Sequence, residues 1–107
     1  MSITATGGFL GGQHTVVVSG DGRGSCDRGP LKQLPSDRVI EAREIEHEVA
    51  ELARRAASYP PSPDARMYTL KTKAGVVTWS EGRRGLPPVL PRAQLLALQL
   101  VRRLCSS

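Results

Sequence analysis

The stretch from Pro35 to Ala57 constrains the fold more than any other part of the chain. Ala42, Ile45, Val49, Leu52 and Ala56 recur at 3-4-3-4 spacing, the interval that places side chains on one face of an α-helix. The spacing predicts one helix over about 36–57. Pro35-Ser36-Asp37 marks its start, with Ser36 or Asp37 able to accept from the unpaired backbone N–H groups of the first turn. Glu41, Glu44, Glu48 and Glu51 occupy the other face, followed by Arg54 and Arg55, and read as a solvated row. Glu51 and Arg55 are spaced for an i,i+4 ion pair. A single apolar stripe of this length is short for a coiled coil. It needs a sheet to cover.

The flanking segments supply that sheet. Residues 2–6 alternate Ile3 and Ala5 with polar neighbours, a period-2 strand pattern. Gln13 to Ser19, with Val16-Val17-Val18, reads as a second strand, and the two form a hairpin around Gly7-Gly8-Phe9-Leu10-Gly11-Gly12. Tyr59 to Asp64 holds three prolines and ends the helix. Met67 to Lys71 and Val76 to Ser80 make a second hairpin turning at Lys73-Ala74-Gly75, with Tyr68 and Leu70 on one face and Val77 and Trp79 on one face. Gly82 to Pro91 is irregular. Pro91 suits the opening of a second helix over 92–104, with Ala93, Leu96, Ala97, Leu100, Val101 and Leu104 on one face. Residues 19–30 hold four glycines and no large apolar side chain, and read as a flexible Gly-rich linker. The expected architecture is α+β: a four-stranded antiparallel sheet of two hairpins with two helices on one face, order ββαββα, in a single domain over 1–107.

Composition narrows the class. Aromatic residues are only 4% of 107 residues, so the core must be built from Leu, Val, Ile and Ala. No apolar stretch approaches the roughly 20 residues of a membrane helix. No charged segment followed by an apolar one opens the chain, which leads us to expect a cytoplasmic location. Cys26 and Cys105 do not make a disulfide scaffold, and free thiols are expected of an unsecreted chain. The net charge of +5 comes from three Lys and 12 scattered Arg, paired at Arg54-Arg55, Arg83-Arg84 and Arg102-Arg103. That scatter, with few stacking aromatics, argues against a nucleic-acid face.

Nothing in the spacing marks a catalytic or metal centre. His14 lies in the second strand and His47 in the acidic helix, neither with a partner at metal or triad spacing. Cys26 lies in the linker and Cys105 near the C-terminus. Asp21-Gly22-Arg23-Gly24 lacks the Lys-Ser/Thr ending of a phosphate loop. We therefore expect no catalytic residue, no metal, no cofactor and no enzyme activity. Trp79 reads as core. The unusual feature is Phe9-Leu10 between two glycine pairs. Either Phe9 folds inward and staples the hairpin to the core, or the loop offers an apolar hook to a partner's pocket.

The ordered set of features resembles the emfourin family, small bacterial protein inhibitors of thermolysin-like metallopeptidases such as protealysin. It comprises the opening strand leading to Gly7-Gly8-Phe9 and Gly11-Gly12, and the helix introduced by Leu34-Pro35. Pro63-Asp64 ahead of Tyr68-Thr69-Leu70 follows, then Val77-Thr78-Trp79 with Glu81-Gly82, Leu86-Pro87 and the Leu-rich last helix. The resemblance covers most of the chain outside 19–30. It implies a monomer when free, whose protein partner is a protease with a cleft zinc and a pocket for large apolar side chains. Together with the exposed-loop chemistry it points to Met1, Ser2 and Ile3 and to Gly7, Gly8, Phe9, Leu10, Gly11 and Gly12 as the contact surface. Phe9 or Leu10 would enter the pocket, and the chain start would approach the zinc. Two other classes compete: a basic nucleic-acid-associated module, and an adaptor that docks through a helix face.

Overall fold

The computed structural model describes residues 1–7, 12–60, 65–82 and 84–105. The chain runs β1 (Ser2–Thr6), β2 (Gln13–Val18), β3 (Arg23–Cys26), β4 (Lys32–Gln33), α1 (Ser36–Arg54), β5 (Met67–Thr72), β6 (Gly75–Ser80) and α2 (Val89–Leu100). A π-helical turn, Val101–Cys105, continues from α2. The class is α+β, as expected, but the sheet has six strands rather than four, in the order β4-β3-β2-β1-β5-β6 with every neighbour antiparallel.

One additional strand, β3, comes from the segment 19–30 read as a linker, and the other, β4, follows just beyond it. Gly24 of β3 sits where an added Cβ would stand 3.0 Å from Leu104 and 3.1 Å from Leu34. A glycine-rich strand lets these two leucines close over the sheet, so the composition reflects close packing rather than slack. β3 pairs with β2 through Val16↔Cys26, Val17↔Ser25 and Val18↔Gly24.

Strand alternation divides the sheet into a covered and an open face. Ile3, Ala5, Val16, Cys26, Tyr68, Leu70, Val77 and Trp79 turn inward and are buried. Ala42, Ile45, Val49 and Leu52 of α1 meet them, as the 3-4-3 spacing required, joined by Ala53. From α2 and the turn after it come Ala93, Leu96, Ala97, Leu100, Val101 and Leu104, the complete expected stripe. Burying each Leu or Val removes about 2 kcal/mol of apolar exposure. On the open face Thr15, Thr4, Thr69 and Thr78 are register partners in one row across four strands. The Thr4 and Thr15 hydroxyls lie 2.9 Å apart.

The helix ends differ from expectation in three ways. Pro35, not Ser36 or Asp37, occupies the N-cap of α1, and no side chain caps it. The backbone oxygen of Pro35 accepts from Arg38 and Val39 instead. α1 ends at Arg54, and Ala56 leaves the apolar stripe for the left-handed region at φ 50°. α2 begins at Val89, which places Pro91 third in the helix. That position still lies among the first N–H groups, which have no partner within the helix, so the missing donor is tolerated.

The glutamate row is not simply solvated. Arg92 of α2 reaches across to α1, with Nη1 3.0 Å from both Glu48 oxygens and Nη2 3.2 Å from Glu41 and 3.1 Å from Glu44. One cation thereby fastens the two helices on their outer side. Glu51 pairs with Arg54 at 3.0 Å, one residue earlier than the Arg55 expected.

Candidate functional site

Those of the residues expected to touch a partner that the structure describes fall toward the two ends of β1. A five-residue strand spans roughly 17 Å, so these ends do not form one continuous patch. At the first end, the Met1 ammonium donates to the Val18 carbonyl at 3.3 Å and lies 3.7 Å from a Glu46 carboxylate oxygen. Val18 N–H donates back to the Met1 carbonyl at 2.9 Å. Ile3 is buried, and Ser2 faces the open side beside Val17 and Lys71. At the other end, Thr6↔Gln13 is the last register pair of the β1–β2 hairpin, with Gly7 and Gly12 exposed just beyond it. Gly8, Phe9, Leu10 and Gly11 lie outside the described residues.

A second constellation lies on the far side of β2, and sequence spacing did not announce it. Cys26 and Cys105 are 79 residues apart in sequence, yet their Cα atoms stand 5.3 Å apart and their sulfurs are joined in a disulfide. This corrects the expectation of free thiols. The bond ties the end of β3 to the last turn of the chain, and closing so long a loop is worth about 4 kcal/mol by the chain-entropy argument.

Around this bond stand His14 of β2 and Asp27, the residue after Cys26. His14 Nδ1 lies 2.7 Å from Asp27 Oδ2, and the Thr15 N–H donates to Asp27 Oδ1 at 2.8 Å. Both carboxylate oxygens are therefore held. The Thr15 N–H, first, and His14, second, keep the Asp27 carboxyl below the usual carboxylate range. The backbone aims Asp27 there through a tight turn. Asp27 (φ 50°) and Arg28 (φ 65°) are both left-handed, and Gly29 N–H closes the turn on the Cys26 carbonyl at 2.8 Å. Such a turn ordinarily takes glycine at its second position. Holding Arg28 there costs about 1 kcal/mol.

His14, Cys26, Asp27 and Cys105 each bring one donor atom to within 4.8 Å of the others. His47 takes no part in this cluster and lies exposed on α1. Asp27 is the residue that sequence reasoning passed over. Its only sequence signal was adjacency to Cys26, because the other partners come from positions 14 and 105.

Among the described residues, no helix is long and apolar enough to cross a membrane. No family model, curated protein or solved structure matches this chain. The fold defines the class, a six-stranded antiparallel α+β protein with both helices on one face.

Proposed function

We propose that this chain is a protein inhibitor of thermolysin-like zinc metallopeptidases, which presents the connection between β1 and β2 to the enzyme's cleft. The observation that carries the reading is the mounting of that connection. β1 lies inside the sheet, hydrogen-bonded on both sides to β2 and β5, with Ile3 and Ala5 buried beneath it. The hairpin that leads into residues 7–12 is thus rigidly held, and its sequence carries Phe9 and Leu10 between glycine pairs. A loop on a rigid base loses less freedom on binding than a free peptide. The ordered resemblance to emfourins, from Gly7-Gly8-Phe9 to the Leu-rich last helix, supplies the enzyme class.

The hairpin end of β1 is the better half of the expected surface. For the Met1 amine to reach a target's zinc, it would first have to leave Val18 and Glu46. The test is a titration of a purified thermolysin-like peptidase with this protein, following peptidase activity and integrity of the added chain together. Saturable inhibition with the chain intact is expected. The double variant Phe9→Ala/Leu10→Ala should raise the inhibition constant by at least tenfold, since removing two buried apolar anchors each costs more than about 1 kcal/mol. A folded wild-type protein that leaves several such enzymes fully active overturns the reading. Unchanged inhibition by the folded double variant removes the loop from it.

A further inference from the structure

We propose that Cys26 and Cys105, when reduced, form with His14 and Asp27 a four-coordinate zinc site that holds the C-terminus to the sheet in place of the disulfide. Two thiolates, an imidazole and a carboxylate are the donor types zinc takes, in the number a closed structural site requires. Tetrahedral zinc with bonds of about 2.0–2.3 Å places its ligand atoms roughly 3.3–3.8 Å apart. Here the four donors already lie within 4.8 Å of one another. The two sulfurs must separate by roughly 1.7 Å once their bond is gone. The His14–Asp27 pair, now 2.7 Å apart, opens by a few tenths of an ångström to about 3.3 Å as the metal replaces the shared proton.

The surroundings hold the donors in place. Cys26 is fixed by the Val16↔Cys26 register pair. Asp27 keeps its second oxygen on the Thr15 N–H at 2.8 Å, and its own N–H donates to the Thr15 carbonyl at 2.8 Å. Cys105 closes the turn that carries Val101 and Leu104 into the core. A metal would therefore join the two parts of the fold that the disulfide joins, the end of β3 and the last turn, and add β2 through His14.

The chemistry balances. A phosphine reductant supplies two electrons, the S–S bond breaks, each sulfur takes up one proton from water, and the phosphine leaves as its oxide with the water oxygen; a dithiol reductant leaves instead as its own disulfide. Zinc then displaces both thiol protons to solvent and binds the thiolates, while the proton between His14 and Asp27 leaves for the other ring nitrogen or for solvent, freeing Nδ1 and Oδ2 to bind the metal. Disulfide and zinc forms are mutually exclusive, so the redox state of the surroundings selects between them.

The test uses the full chain, reduced with a phosphine under anaerobic conditions and titrated with Co²⁺, then Zn²⁺. Expected are thiolate-to-cobalt charge-transfer bands with tetrahedral d–d bands saturating at one equivalent, their loss on adding Zn²⁺, and a higher melting temperature with zinc than without. The oxidised protein should show none of these. His14→Ala and Asp27→Asn, each checked for a native circular dichroism spectrum in the oxidised form, should each weaken Co²⁺ binding by at least tenfold. A reduced wild-type protein without the cobalt spectrum overturns the proposal. So does wild-type affinity in either variant, which would leave a simple dithiol.

Discussion

The rings of Tyr68 and Trp79 stack with centroids 5.4 Å apart and planes 16° from parallel. The two residues are register partners across β5 and β6, and both are fully buried. In a chain with few aromatics they are the largest side chains of the core. Trp79 sends its indole N–H to Gln94 of α2 at 3.1 Å. The Tyr68 hydroxyl makes no well-formed hydrogen bond among the described residues, although Arg66 and Glu81 stand near enough to influence its titration.

Tyr68→Phe keeps the stack and removes that hydroxyl. An unsatisfied buried polar group costs about 1–3 kcal/mol, so the variant should be as stable as the wild type or up to about 1 kcal/mol more stable in urea unfolding at pH 7. Burial pushes the Tyr68 phenol above its ordinary value of 10.0. The unfolded chain then ionises first, and stability falls as pH rises from about 10 toward the higher folded value. The phenylalanine variant should show a smaller alkaline loss. Clear destabilisation of the variant at pH 7 would reveal a partner for the hydroxyl.

Ala56 terminates α1 in a left-handed conformation that suits glycine. Its N–H donates to the Ala53 carbonyl at 3.0 Å, and the Ala57 N–H to the Leu52 carbonyl at 3.0 Å, the two bonds of a Schellman motif. Ala56→Gly relieves the Cβ and should raise stability by about 0.5–1 kcal/mol. A loss of stability on chemical denaturation would show that the alanine methyl packs usefully.

Gly75 shows the opposite constraint. It begins β6 at φ 147°, and an added Cβ would overlap the Ala53 carbonyl oxygen and stand 2.8 Å from its carbon. The β5–β6 turn and the end of α1 touch backbone to backbone. Gly75→Ala should destabilise by about 2–3 kcal/mol, because backbone on both sides must shift. A melting temperature equal to the wild type would place the turn further from the helix.

Arg92 holds Glu41, Glu44 and Glu48 together, and these carboxylates strengthen its hold on its proton. Arg92→Gln leaves three glutamates repelling one another along α1. The melting temperature should fall, and the gap to wild type should narrow as salt is raised, since screening weakens exposed charge pairs. Adding Glu44→Gln to Arg92→Gln should recover part of the loss. A gap that salt does not change would indicate lost packing of the arginine stem instead.

Periodicity made most of the core legible. Four of the five apolar positions of α1 and all six of α2 and its final turn are buried. So are Tyr68, Leu70, Val77 and Trp79. The errors arose where the signal was compositional. Residues 19–30 look like a linker because β3 needs glycine beneath Leu34 and Leu104, and small residues carry no alternation to read. The Glu41–Glu44–Glu48 row looks solvated because its partner, Arg92, is more than forty positions away. The β1–β2 glycine pairs were visible at once, since they lie within a few residues of the strands they join.

The sequence by itself determined the two apolar helix stripes, the two hairpins and the α+β class, because each is written in spacings shorter than ten residues. Only the tertiary structure decided which distant residues meet. Folding the last turn of the chain against β3 brings Cys105 to Cys26, and pairing β3 with β2 sets His14 beside Asp27. No local pattern encodes these contacts. They follow from strand order and from burying the stripe that ends in Leu104, which carries Cys105 to the sheet with it.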